Sequence, residues 1–228
     1  MMLASLFSGG KDSVFALYRA VQKGHKVSCL ITIKPDKADS YMFHIPNIEF
    51  AKLQAQALGI PVVYMGSSGV KEKELEDLKN AIKIAKEKYN IKGIVSGALA
   101  SNYQAKRVKR ICDELNLKPI NPLWGIDEEQ YLMDLTKAKF NVIVTGIAAD
   151  GLNKGWLGRK INNNCIEDLK KLSKKSRIHI AAEGGEYETF VLDCPLFKKK
   201  IKITDFEINM ENECTGQYII KAIELVKK

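Results

Sequence analysis

Six consecutive residues near the start of the chain, Ser8-Gly9-Gly10-Lys11-Asp12-Ser13, combine the parts needed to hold a phosphate chain. Gly9 and Gly10 carry no side chains, so backbone amides there can come close to phosphate oxygens. Ser8 and Ser13 add hydroxyl donors, and Lys11 adds a mobile positive charge. An aspartate looks misplaced in an anion site until Mg2+ is included: Asp12 can hold the metal that bridges phosphates. The spacing is not the GxxxxGK[ST] of P-loop NTPases, because the four-residue spacer is missing. A plain tight turn between a strand and a helix is the competing reading. Two glycines would suffice for that, and the flanking serines, lysine and aspartate would be left without a reason.

Three other places carry residues with chemical reach. His44 stands beyond the second predicted strand, where parallel sheets bind ligands, and a neutral imidazole there can contact adenine, ribose or phosphate. The competing reading is a loop histidine. Ser101, Tyr103, Gln104 and Arg107 open the helix after the fourth predicted strand, at the same sheet edge. Tyr103 and Arg107 are four apart and share a helix face, so Arg107 can steady developing charge on an α-phosphate. An ordinary surface ion pair is its alternative. Glu183, Glu186 and Glu188 crowd carboxylates around Gly184 and Gly185, and strand spacing puts Glu186 and Glu188 on one face. A solvated acidic loop competes with that reading.

These residues need a scaffold, and the hydrophobic pattern supplies one. Apolar runs at Leu3–Phe7, Val27–Ile33, Pro61–Met65, Gly93–Gly97 and Lys118–Asn121 alternate with helical stretches. Those helices are predicted from about Asp12 to Lys23, from an Asn47 cap to Leu58, over Lys71–Tyr89 and over Ser101–Leu115. Leu75, Leu78, Ile82 and Ala85 form the apolar stripe of the third of these helices. The alternation is that of a parallel α/β sheet wrapped by helices. Pro122-Leu123-Trp124-Gly125 punctuates the series and divides the chain into residues 1–124 and 125–228. In the second part, a helix capped by Asp127 runs to about Lys139 and a strand covers Asn141–Ala149. A Gly/Asn-rich loop follows over Asp150–Asn164, then a helix near Ile166–Leu172. Strands at Tyr187–Leu192, Lys200–Ile208 and Gln217–Ile220 complete a smaller α+β unit.

Composition narrows the function classes. The chain of 228 residues carries 36 Lys+Arg against 27 Asp+Glu, a formal net charge of +9, which keeps nucleic acid open as a partner. No interleaved basic and aromatic stretch supports that partner, and much of the lysine lies on helical solvent faces or in Lys198-Lys199-Lys200. No apolar run reaches the roughly 18 residues of a membrane span. The start of the chain runs straight from apolar residues into the glycine loop and reads as a buried strand, not a signal peptide. The five cysteines are scattered without a CxxC pair, which fits buried free thiols in a reducing cytoplasm. Oligomeric state stays open, a homodimer included.

The loop Ser8–Ser13 resembles the signature of the N-type ATP pyrophosphatases (the PP-loop superfamily), which cleave ATP between its α and β phosphates. That resemblance implies an adenine nucleotide alpha-hydrolase-like, Rossmann-like fold for the N-terminal part, with the loop gripping departing pyrophosphate. Three further segments resemble one branch, the diphthine–ammonia ligases. These are Met42-Phe43-His44-Ile45-Pro46-Asn47, the run Gly97–Arg107, and Glu183-Gly184-Gly185-Glu186-Tyr187-Glu188-Thr189-Phe190. The resemblance implies ATP and Mg2+ on residues 1–124, with Ser8, Gly9, Gly10, Lys11, Asp12, Ser13, His44, Gly97, Ser101, Tyr103 and Gln104 around the nucleotide. Asp12 would be the metal ligand, and Lys11, Asp12 and Arg107 would assist the transfer. It also implies that residues 125–228 receive diphthine on elongation factor 2, through Glu183, Gly184, Gly185, Glu186, Tyr187 and Glu188. Carboxylates and the Tyr187 ring suit diphthine's trimethylammonium group, and a glutamate can take a proton from the nitrogen donor, ammonium. A tRNA-modifying enzyme that adenylates a base, and a regulator that holds ATP or AMP without turnover, remain as alternatives.

Overall fold

The computed structural model describes residues 1–35, 47–68 and 71–228, leaving aside the side chains of 71–73. The expected positions Met42 to Pro46, His44 among them, lie outside the described residues. The chain divides into two compact units, Met1–Trp124 and Gly125–Lys228.

The first unit is a five-stranded parallel sheet in the order β3-β2-β1-β4-β5. Its strands are β1 (Met2–Leu6), β2 (Lys26–Pro35), β3 (Val62–Ser67), β4 (Gly93–Val95) and β5 (Lys118–Ile120). Its helices are α1 (Lys11–Gln22), α2 (Ala51–Leu58), α3 (Lys71–Tyr89) and α4 (Asn102–Glu114). One buried cluster joins Ala4, Cys29, Ile31, Ile33 and Ile94 of the sheet to Leu78, Ala81, Ile82 and Ala85 of α3 and to Val108, Ile111 and Cys112 of α4. Leu78, Ile82 and Ala85 recur at helical spacing, so a single stripe of α3 faces the sheet while Lys83 and Lys88 are exposed. Fully burying one such Leu or Ile contributes about 1.5–3 kcal/mol. Helix α1 buries Val14, Phe15, Ala16, Leu17 and Ala20 and packs on β1, β2 and β4.

The second unit is an antiparallel sheet of four strands in the order β7-β6-β9-β8 with two helices. Helix α5 (Glu128–Lys137) is followed by β6 (Asn141–Ala148), α6 (Asn163–Ser176), β7 (Tyr187–Asp193), β8 (Lys200–Met210) and β9 (Thr215–Val226). The expected parallel α/β sheet and the smaller α+β unit are therefore both present.

Several boundaries differ from the sequence expectation. Asn47 does not cap a helix with its side chain: it adopts a left-handed backbone conformation, φ 68°, and a single 3-10 turn (Ile48–Phe50) leads into α2. Helix α6 is longer than expected because Asn162 caps it by accepting from Cys165 N–H at 3.0 Å, inside a stretch read as loop. Strand β9 extends to Val226 because β8 pairs with it almost end to end, an influence from outside the local sequence.

Four of the five cysteines are buried and Cys214 is partly exposed. Burial pushes the Cys29 and Cys112 thiols up to about 12 and Cys194 to about 11. A thiol reagent applied to the native protein near pH 8 should therefore give one fast reaction, which Cys214→Ser removes. The other four thiols should react only on unfolding.

Candidate functional site

The strand order makes the site. The chain runs outward through β1, β2 and β3, then returns to place β4 on the other side of β1. Ligands of open α/β sheets bind at such a reversal, beyond the carboxyl ends of the strands. The Ser8–Ser13 loop leaves β1 there, and Gly97 to Ser101 leave β4 there. The two segments touch: a Cβ on Gly97 would fall 2.8 Å from Asp12 C and 2.9 Å from Ser13 N. Only a residue without a side chain lets the first turn of α1 lie against the end of β4.

The loop is closed on itself. Ser13 Oγ lies 3.1 Å from Ser8 Oγ, accepts from Ser8 N–H at 3.2 Å and donates to Gly10 O at 3.1 Å. Gly10 is the N-cap of α1 and offers no side-chain acceptor to the helix's leading amides, the arrangement in which an anion can serve as the cap. Gly9 has φ 84°, a conformation that side chains resist. Its carbonyl accepts from Gln54 Nε2 at 2.9 Å, and Gln54, 0% exposed, fills the space where a Cβ would stand. Thr32 Oγ1 donates to Phe7 O at 2.7 Å and steadies the exit from β1.

Lys11 is not the mobile arm expected from sequence. It is 2% exposed and its Nζ lies 3.0 Å from Asp12 Oδ2. A cation held in that position needs a counter-charge, and its neighbour in sequence provides one. Among the described residues, no group of three or more His, Cys, Asp or Glu side chains could hold a metal. A Mg2+ here would meet the protein through Asp12, with phosphate and water oxygens as its other ligands, which is how Mg2+ commonly binds.

On α4, Ser101 caps the helix by accepting from Gln104 N–H at 3.4 Å. The Arg107 guanidinium carbon lies 3.3 Å from the centroid of the Tyr103 ring, so the two share a face as their spacing requires. Arg107 is half-buried, and its Nε has no hydrogen-bond partner among the described residues.

In the second unit the acidic segment forms a tight turn ahead of β7. Glu186 is 9% exposed and accepts from His179 N–H at 2.8 Å and from Gly184 N–H at 2.9 Å. Glu128, in the first turn of α5, lies 2.8 Å from His179 Nδ1 and accepts from Ala181 N–H at 3.1 Å. Tyr187 is buried with its hydroxyl donating to Ile180 O, and Glu188 lies in β7 opposite Gly146.

The comparisons with known proteins bear on both units. Residues 1–119 match the model of the diphthamide synthase N-terminal domain, and residues 127–226 that of the diphthamide synthase C-terminal domain. The chain belongs to the diphthamide synthase family. Among its relatives, the rat protein named diphthine–ammonia ligase is 36% identical over 91% of this chain and 84% of its own length. The human protein of that name is 35% identical over 91% and 85%. A solved structure from Methanocaldococcus jannaschii, described as a predicted subunit of tRNA methyltransferase, superposes at a TM-score of 0.45 with 16% identity. It covers 86% of this chain and 98% of that one.

Within this family member, the first unit brings together Ser8, Gly9, Gly10, Lys11, Asp12, Ser13 and Gly97, with Ser101, Tyr103, Gln104 and Arg107 on the helix that follows β4. Glu183, Gly184, Gly185, Glu186, Tyr187 and Glu188 form the turn and strand start of the second unit. Sequence reasoning missed Gln54, Glu128 and His179. A glutamine on a helix face otherwise made of Ala51, Ala55, Ala57 and Leu58 was a legible sign for Gln54. Glu128 reads from sequence as an ordinary acidic residue in a helix's first turn, and His179 as a lone histidine.

Two outcomes follow from these contacts. Gly9→Ala must displace Gln54, since its Cβ would lie 1.9 Å from Gln54 Oε1, and must also hold a left-handed backbone. It should lower stability in chemical denaturation by about 1–3 kcal/mol and weaken ATP binding. Adding Gln54→Ala removes the clash but not the backbone strain, so it should recover only part. For His179, the hydrogen bond to Glu128 holds the imidazolium above its ordinary value against the opposing effect of burial, with smaller help from the charges of Glu128, Glu186 and Glu183. The charged pair thus steadies the turn below the unfolded histidine value of about 6.5 and fades as pH rises through the raised one. An NMR titration should place His179 above an ordinary histidine, and Glu128→Gln should bring it back.

Proposed function

We propose that this chain is an ATP-dependent diphthine–ammonia ligase that amidates the diphthine of elongation factor 2 to diphthamide. Family membership across both units supports the reaction. The observation that carries the nucleotide half is the meeting of the Ser8–Ser13 loop, the α1 N-terminus and Gly97 at the sheet reversal. Residues 1–124 are assigned to ATP and residues 125–228 to the protein substrate.

The diphthine carboxylate oxygen attacks the α-phosphorus of ATP, the bond from that phosphorus to the bridging oxygen breaks, and pyrophosphate leaves. The backbone of Gly9 and Gly10 and the N-terminal amides of α1 receive that leaving charge. Lys11 and Arg107 offset charge on the transferring phosphorus, Arg107 from a half-dry position where its charge counts for more than in water. Mg2+, held by Asp12, would supply further charge neutralisation across the phosphates. Ammonia then attacks the acyl carbon, AMP leaves, and the proton lost by nitrogen passes to a carboxylate. Activation is needed because a carboxylate becomes a useful electrophile only once its oxygen is part of a phosphate leaving group. His44, Ser101, Tyr103 and Gln104 are assigned to the nucleotide. In the second unit, Glu183, Gly184, Gly185 and Glu188 are assigned to diphthine, with Glu183 or Glu188 facing its trimethylammonium charge. The buried Tyr187 supports the turn through its hydroxyl, in place of the ring contact expected from sequence.

Incubation with ATP, Mg2+, ammonium and diphthine-bearing elongation factor 2 should yield AMP, pyrophosphate and a protein product lighter by about 1 Da, the difference between a carboxylic acid and its amide. ADP as the main nucleotide product would overturn the α-phosphate chemistry, and ATP bound without turnover would favour a regulator. Asp12→Ala should slow amidation by at least about 10-fold while ATP still docks, since the amides remain and one charged contact is lost. Full activity of that variant at limiting Mg2+ would remove Asp12 from the metal.

A further inference from the structure

Glu186 was expected to face the substrate, yet its carboxylate is committed elsewhere. Both oxygens accept backbone N–H groups, from His179 at 2.8 Å and Gly184 at 2.9 Å, and the residue is buried. Gly184 is shaped to it: a Cβ there would lie 2.7 Å from Glu186 Oε1. From the other side, Glu128 of α5 accepts from Ala181 N–H at 3.1 Å and meets the His179 ring. Between these two anchors Ala182 has φ 62°, the left-handed region that alanine resists, and Gly185 has φ 81°. Such a conformation persists only where surrounding bonds over-determine it.

We infer that Glu186 and Glu128 are positioning residues, which together fix the backbone of residues 179–184 and so set where Glu183 stands. The chemistry of the substitution is unequal on the two sides of a carboxylate. A glutamine at 186 keeps one acceptor oxygen but turns an amino group toward the second N–H, leaving two donors face to face. The role in catalysis rests on the reading that this turn receives diphthine; the bracing of the turn does not.

The test uses the full chain with Glu186→Gln and Glu128→Gln, read in two ways. Hydrogen exchange of the amides of His179, Ala181 and Gly184 measures the turn directly and needs no substrate. Steady-state amidation, with elongation factor 2 and ATP varied separately, measures the consequence. Both variants should speed exchange within 179–184 and raise the KM for elongation factor 2 about 10-fold, at the low end for loss of a supporting contact. The KM for ATP should stay at the parent value. If Glu186→Gln raises the KM for elongation factor 2 while Glu128→Gln leaves it alone, Glu186 acts through its own charge on the substrate and the inference falls. Unchanged exchange in both variants also overturns it. Should Glu186→Gln fail to fold, Glu128→Gln alone carries the test, since Glu128 is partly exposed at the start of a helix. Failure of the parent protein to amidate would sink the functional reading alone, with exchange still deciding whether the turn is braced.

Discussion

The first unit depends on one backbone-to-backbone contact. The first turn of α1 lies against the chain leaving β4 so closely that no side chain fits at Gly97. Because interiors are close-packed, such a contact transmits position without slack. It fixes the helix whose N-terminus points at the crevice, and with it the loop strung between β1 and that helix. Gln54 and Thr32 then hold the loop from behind, through Gly9 O and Phe7 O. Serines that looked like phosphate donors spend part of their capacity on each other, shaping the loop before any ligand arrives.

The adjacent charges of Lys11 and Asp12 set the electrostatics of that loop. Lys11 is buried and Asp12 is partly exposed, with 2% and 37% side-chain exposure. The burial of Lys11 makes the pair more than a surface ion pair, since an uncompensated charge at such depth is costly. The exposure of Asp12 limits what the pair adds to stability, because water screens it. Its value is therefore one of position: the ammonium is kept within the loop without a long, mobile arm.

Much of this was legible in the sequence because it is local. Glycines at fixed offsets after an apolar strand and the Tyr103–Arg107 spacing each follow from rules that act within a few residues. Alternating strands and helices gave the parallel sheet, and the change to strand-rich composition gave the second unit. What escaped was non-local. Gln54 reaches Gly9 across 45 positions, and Glu128 reaches Ala181 across 53. No periodicity records such pairings. Lys11 was misjudged for a related reason: its burial is decided by elements packed around it, not by its neighbours in the chain.

Strand β9 is joined to the rest of its sheet unevenly. It pairs with β8 from Thr215's neighbour Gly216 to Val226, but with β6 only through Thr215, Gly216 and Gln217. The β8–β9 pairing closes across a turn of a few residues, whereas the β6 seam joins segments about 70 positions apart in the chain. Loop closure costs grow with separation, and long-range pairings form slowly. The hairpin ladder is therefore expected to close at lower entropic cost than the three-residue seam that joins it to β6.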